Sequence, residues 1–154
     1  MKADDTHTDS EIAATAIVVP VADIVWDGTN VSDLSVAGTD QYVKEGVTLS
    51  GNAEMMQANW RDSGEPTSVG IAFDMDQSGG YTFTAPTGKA FTKIEMTLTS
   101  SGGWDEANLG TGWAFNAGTV TWKGSAAAST VDLLKGADQF YGQTVKIIAF
   151  YLSE

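Results

Sequence analysis

Residues 93–99 read Lys-Ile-Glu-Met-Thr-Leu-Thr, and this stretch decides the fold class. Ile94, Met96 and Leu98 share one parity while Lys93, Glu95, Thr97 and Thr99 share the other, so an extended backbone gives one apolar face and one wet face. A helical turn of 3.6 residues would scatter the same side chains around its circumference. Lys93–Thr99 therefore reads as a half-buried strand. Further along, Val145–Leu152 (VKIIAFYL) is apolar on both parities after Lys146. That pattern predicts a central strand covered on both faces, or one that closes against the N-terminal strand.

Period-2 alternation with β-branched and aromatic enrichment recurs through the rest of the chain between clusters of Gly, Asn, Asp and Ser. It predicts strands at 15–19, 23–26, 41–43, 47–49, 54–60, 69–75, 80–85, 113–115, 119–122 and 130–133. Residues 133–140 have room for one short helical turn. Lys44-Glu45-Gly46 reads as a three-residue hairpin loop with Gly in the left-handed position, and Pro86-Thr87-Gly88 as a turn. This many short strands do not sit comfortably in one open sheet. The expected fold is all-β, a two-sheet antiparallel β-sandwich of jelly-roll-like type. A flexible acidic tail over 1–12 and a single sandwich domain over 13–154 complete the organisation.

Composition sets limits on function. The 154 residues carry 20 acidic against 8 basic side chains, a net charge of −12. Such a field repels phosphate backbones and anionic lipid, which argues against nucleic acid and acidic membranes as partners. The chain has no Cys and one His, His7, which removes thiol nucleophiles, Cys-based metal sites and His-dependent triads. No apolar run reaches the length of a membrane span, and residues 1–10 lack the basic and apolar regions of a signal peptide. Met1-Lys2 before an acidic Thr/Ser/Asp tract reads as a boundary downstream of a removed leader or a neighbouring domain.

From Tyr81 onward, YTFTAPTGKAFTKIEMTLT, then GTVTWKGSAAASTVDLL, then VKIIAFYL resemble a β-sandwich accessory module of secreted and surface proteins of gut bacteria, especially Bacteroidetes. The resemblance covers about residues 81–152. It implies a secreted or cell-surface location and an accessory or adhesin-like role beside other domains, and it brings no ligand or catalytic motif with it.

Five Trp in the chain raise the question of a sugar platform, because a flat indole stacks on a pyranose face and leaves an N–H for a hydroxyl. Parity assigns Trp26, Trp60 and Trp122 to the core. Trp104 lies in SSGGWDEANLGTGW, a Gly-rich connection too long for a tight hairpin, and is the first choice for an exposed aromatic. Asp105, Glu106 and Asn108 put carboxylate and amide oxygens beside it for sugar hydroxyls. Trp113 is the second aromatic choice, its alternative being the core. Arg61, the only Arg in the chain, offers a planar five-donor fork.

Asp74-Met75-Asp76-Gln77-Ser78-Gly79 copies the opening of a calcium loop, with Asp74, Asp76 and Ser78 as the ligand positions, but Ala85 stands where a bidentate Glu is required. No cofactor is expected beyond a structural Ca²⁺ at that loop, the alternative being an acidic turn. A glycosidase needs two facing carboxylates, and no strand shows them on one face. The expectation is a non-catalytic, monomeric carbohydrate-binding module of a larger bacterial surface or secreted protein, with a glycan or a host or neighbouring surface protein as partner. A spacer or adhesin-type domain without a small ligand is the alternative, and a small glycoside-active hydrolase the third.

Overall fold

The structure is a computed structural model that describes residues 19–27, 41–51, 61–62, 65–66, 71–73, 80–98, 109–134 and 143–154. Among these residues the regular elements are all strands. They are β1 (Ile24–Asp27), β2 (Gln41–Lys44), β3 (Val47–Ser50), β4 (Arg61–Asp62), β5 (Glu65–Pro66), β6 (Ile71–Phe73), β7 (Tyr81–Thr84), β8 (Ala90–Leu98), β9 (Trp113–Asn116), β10 (Thr119–Trp122), β11 (Thr130–Leu133) and β12 (Gln143–Ser153). Six form one sheet in the order β1-β12-β8-β10-β9, with β6 also pairing β12; four form a second sheet in the order β11-β7-β3-β2; β4 and β5 pair with each other. Every pairing is antiparallel. The two larger sheets pack face to face, and the fold is an all-β, two-sheet antiparallel sandwich.

The alternation that announces β8 holds in three dimensions: Ile94 and Met96 are fully buried and Leu98 nearly so, while Lys93, Glu95 and Thr97 face outward. The strand begins three residues before the clean alternation, at Ala90, and Phe91 is also fully buried. Phe91 and Ile94 are an odd number of residues apart, so they share a face only because the ladder slips where β8 meets Tyr151 and Leu152 of β12. A bulge turns Thr92 and Lys93 outward together and hides Phe91 from a period-2 reading.

β12 has the same feature. It is the central strand the sequence indicates, paired along one edge with β8 and along the other with β1 and β6. It is not covered on both faces, however: Ile147, Ala149 and Tyr151 are half-buried and Lys146 is exposed. A register shift between Val145 and Ile147 turns Lys146 and Ile147 outward in succession. The mixed parity of VKIIAFYL is therefore partly the imprint of a bulge.

Aromatic side chains dominate the space between the sheets. Phe150 is the hub, with ring centroids 4.8 Å from Trp26, 5.7 Å from Phe83 and 5.7 Å from Phe91. Phe83 comes from the opposite sheet, so the Phe83–Phe150 edge contact ties the two layers together; such pairs contribute about 0.5–1.5 kcal/mol beyond their buried area. Trp26 and Trp122 lie in this core, as parity indicates. The connection from β10 to β11 stitches one end of the sandwich: Phe91 and Ala128 exchange backbone bonds of 2.8 and 3.0 Å, and Ala85 N–H donates to the Ser129 carbonyl at 2.8 Å.

Both two-residue hairpins use the same backbone device. Lys44 pairs directly with Val47, so the β2–β3 loop is Glu45-Gly46 alone rather than three residues, with φ of 54° and 81°. The β9–β10 loop is Ala117-Gly118, with φ of 44° and 95°. Two successive positive φ values match the right-handed twist of the flanking strands. At the third turn, Lys89 N–H donates to the Pro86 carbonyl at 2.9 Å and Gly88 supplies a φ of 79°.

The predicted strands at 15–19 and 54–60 fall on residues outside those described, apart from Val19, which is exposed and outside any strand. The segment 1–12 and residues 135–140 of the proposed helical turn also lie outside them. Residue 133 ends β11.

Candidate functional site

The residues expected to form an aromatic platform fall between β8 and β9 in the sequence. Trp104, Asp105, Glu106 and Asn108 all lie outside the described residues, as do Asp74, Asp76 and Ser78 of the calcium-like loop. Arg61 is placed only as a backbone position in β4, opposite Pro66. Among the described residues no group of three or more His, Asp or Glu gathers around one point.

Trp113 is the one aromatic site candidate that is described, and it is 5% exposed. It stands on β9, the edge of the six-stranded sheet, with its ring turned toward Phe83 at 6.4 Å between centroids. Its indole N–H donates to the backbone carbonyl of Asp132 at 2.7 Å. Asp132 belongs to β11, the edge of the other sheet, so this bond laces the two sheets together along one side. Leu134 N–H, donating to the Leu109 carbonyl at 2.9 Å, and fully buried Leu109 complete the seam. Gly112 lets the chain pass over the indole of Trp122: its φ is 85°, and a Cβ there would lie 2.8 Å from Trp122 Nε1. The ring of Trp113 is thus a seal between layers and offers no face for a sugar to stack on.

The outward side of the four-stranded sheet carries the most regular polar arrangement among the described residues. Val47 and Leu49 of β3, Tyr81 and Phe83 of β7, and Val131 and Leu133 of β11 all point into the core. Parity then turns Thr48 and Ser50, Thr82 and Thr84, and Thr130 and Asp132 outward. The register lines them up: Val43 faces Thr48, Thr48 faces Thr84 and Thr84 faces Thr130, giving one row across four strands. Ser50, Thr82 and Asp132 form a second row two residues along. Strand geometry sets neighbours in a row about 4.7–4.9 Å apart and the rows roughly 7 Å apart.

The second row is internally linked. Thr82 Oγ1 donates to Asp132 Oδ1 at 2.7 Å, and Ser50 Oγ donates to the Thr82 carbonyl at 3.4 Å. With its proton committed to Asp132, the Thr82 hydroxyl keeps only acceptor capacity. Thr130, Asp132 and Val43 are exposed, and Thr48, Ser50, Thr82 and Thr84 are half-buried. Asp132 is the single charge among these seven side chains, on a protein with a net charge of −12.

The outward side of the six-stranded sheet mixes charged, apolar and hydroxyl side chains. Lys93 pairs with Glu95 on its own strand and sits 4.7 Å from the ring centroid of Tyr151. The hydrogen bond to Glu95 raises the Lys93 pKa above its ordinary value, against a smaller opposing effect of burial. Half-buried Ile147, Ala149, Thr119 and Thr121 and exposed Val25, Thr97, Ala114 and Asn116 lie on the same side, with Thr119 opposite both Thr97 and Asn116.

The hydroxyl rows are not legible strand by strand. The signal was present as Thr or Ser at the outward parity of TLS, YTFT and TVDL, but each strand alone reads as an ordinary wet face. Only the pairing β11-β7-β3 turns three separate alternations into a lattice.

Compared with protein-family models, with curated proteins and with solved structures, the chain finds no match. What the fold defines is a class: an antiparallel two-sheet β-sandwich, with rows of Thr and Ser on the outward side of its four-stranded sheet among the described residues.

Proposed function

We propose that the chain is a non-catalytic, carbohydrate-binding module of a larger bacterial surface or secreted protein, and that the outward face of the four-stranded sheet receives the glycan. The observation that carries this reading is the double row Thr48, Thr84, Thr130 and Ser50, Thr82, Asp132. The Thr48, Thr84 and Thr130 hydroxyls can each donate and accept, as sugar hydroxyls do, so that row meets a polyhydroxyl ligand without desolvating an ion. The resemblance of residues 81–152 to accessory modules of gut bacterial surface proteins supports the location and the role.

Affinity is expected to be modest. Each net hydrogen bond contributes about 0.5–1.5 kcal/mol, and association costs consume much of the sum, so Kd falls roughly in the micromolar to millimolar range. Calorimetry and affinity electrophoresis of the intact chain against neutral and acidic polysaccharides test the reading. Retention by at least one neutral polysaccharide and none by polygalacturonate is the expected result. Absence of binding to every neutral glycan overturns it.

The second reading, a spacer or adhesin-type domain, draws on the fate of the indoles: Trp26, Trp113 and Trp122 are all buried. A protein that spends these rings on holding its layers together gains rigidity, which is what a spacer requires. Unchanged behaviour of the chain in the presence of all glycans favours this second reading.

A further inference from the structure

Resting on the carbohydrate reading, we infer that the ligand is an extended, unbranched, neutral polysaccharide that lies across the strands along the row Val43–Thr48–Thr84–Thr130. Three observations lead there.

The first is straightness. The ladders β2–β3, β3–β7 and β7–β11 run without a register shift, whereas the β8–β12 ladder shifts twice. A bulge rotates its strand and staggers the outward side chains. Unbroken register keeps each outward residue directly opposite its neighbour, so the row spans roughly 14 Å in three even steps of about 4.7–4.9 Å. That is a track for a few consecutive sugar rings, and an extended chain can repeat its contacts from one strand to the next.

The second is charge. The track row holds Val43, Thr48, Thr84 and Thr130, none of them ionisable. Asp132, in the second row, and the overall charge of −12 turn away acidic polymers such as uronates and sulfated glycans. A neutral polymer escapes that penalty.

The third is relief. The described side chains of both rows are short, none longer than Asp132, and exposed Val43 closes one end of the track with an apolar contact suited to the C–H face of a sugar. A branch on every few rings would lift the backbone of the ligand away from hydroxyls this short. The surface therefore selects for a bare chain over a substituted one with the same backbone.

The test uses the full chain with paired probes that share a backbone: bare hexasaccharides of β-1,4-linked glucose, mannose and xylose, and their side-chain-substituted counterparts. At least one bare probe is expected to bind about tenfold tighter than its branched counterpart. The triple substitution T48V/T84V/T130V removes three hydroxyls while keeping side-chain shape, and is expected to weaken the bare probe by about tenfold to a hundredfold. Thr84→Lys, which sets a charged stem in the middle of the track, serves as a second variant should the first fail to fold; it is expected to abolish binding with the thermal transition retained. Equal affinity for bare and branched probes, or full affinity in a folded track variant, overturns the inference while leaving glycan binding at another surface intact. Failure of every neutral glycan, bare or branched, overturns the carbohydrate reading itself.

Discussion

The two outward faces of this sandwich are built by the same rule and end with opposite characters. On the six-stranded sheet the β8–β12 ladder shifts register twice while β8–β10 and β10–β9 run evenly, and Lys93 is held by Glu95 and Tyr151. On the four-stranded sheet the register is even, and the outward positions of β3, β7 and β11 are Thr, Ser and one Asp. The first face mixes an ion pair, apolar side chains and hydroxyls, and the second is Thr, Ser and one Asp across three adjacent strands, with Ser50 and Thr82 bonded within the sheet. Regular strands leave a periodic surface; bulged strands close a core around awkward aromatics and lose periodicity in doing so.

If the core is the common support of both faces, its hub is where the largest effect belongs. Phe150→Ala removes a fully buried ring that touches Trp26, Phe83 and Phe91, and is expected to cost about 3–5 kcal/mol in urea denaturation. T48V/T84V/T130V, by contrast, should move the same midpoint by less than about 1 kcal/mol, since outward positions rarely carry more. A comparable loss from both would break the distinction between support and surface.

The seam between the faces comes next. Trp113→Phe keeps an aromatic ring but removes the donor to the Asp132 carbonyl, leaving a buried acceptor without that partner. A loss of about 1–3 kcal/mol is expected, read by denaturation and by faster amide exchange at Leu134, whose N–H bonds Leu109 on the same seam. Unaltered exchange there would show that the indole fills space without lacing the sheets.

The hairpin at the edge of the six-stranded sheet offers a change of opposite sign. Ala117 holds a φ of 44°, where a Cβ is penalised and Gly is not. Ala117→Gly is expected to stabilise by about 0.5–1 kcal/mol after the entropy of the added Gly is deducted.

The smallest effect concerns the charges of the six-stranded face. Glu95→Gln should change stability by less than about 1 kcal/mol, because the Lys93–Glu95 pair is partly exposed and screened. The folded pKa of Lys93 is raised, so its contribution is complete below the unfolded value and is lost as pH rises through the folded value. Melting temperatures of the parent and Glu95→Gln chains should therefore differ constantly through neutral pH and converge only above about pH 10.5.

How much of this the sequence disclosed depends on how local each feature is. Strands β8, β7 and β10 were legible because alternation is a property of neighbouring residues. Phe91 was not, since a bulge changes parity without any mark in composition. Trp113 carried two equally local readings, core or platform, and the choice rests on a carbonyl in β11 that is 19 positions away. The hydroxyl track is the most distant of all: Thr48, Thr84 and Thr130 become neighbours only through pairings between strands dozens of residues apart.

On the reading proposed above, the row Thr48–Thr84–Thr130 is the surface that meets the glycan. Methyl-labelled threonine NMR during titration with a bare neutral hexasaccharide that binds tests it most directly. Saturable shifts are expected at Thr48, Thr84 and Thr130, with Thr97, Thr119 and Thr121 on the opposite face unmoved. Shifts confined to the six-stranded face, or binding that leaves all three row methyls in place, would contradict it.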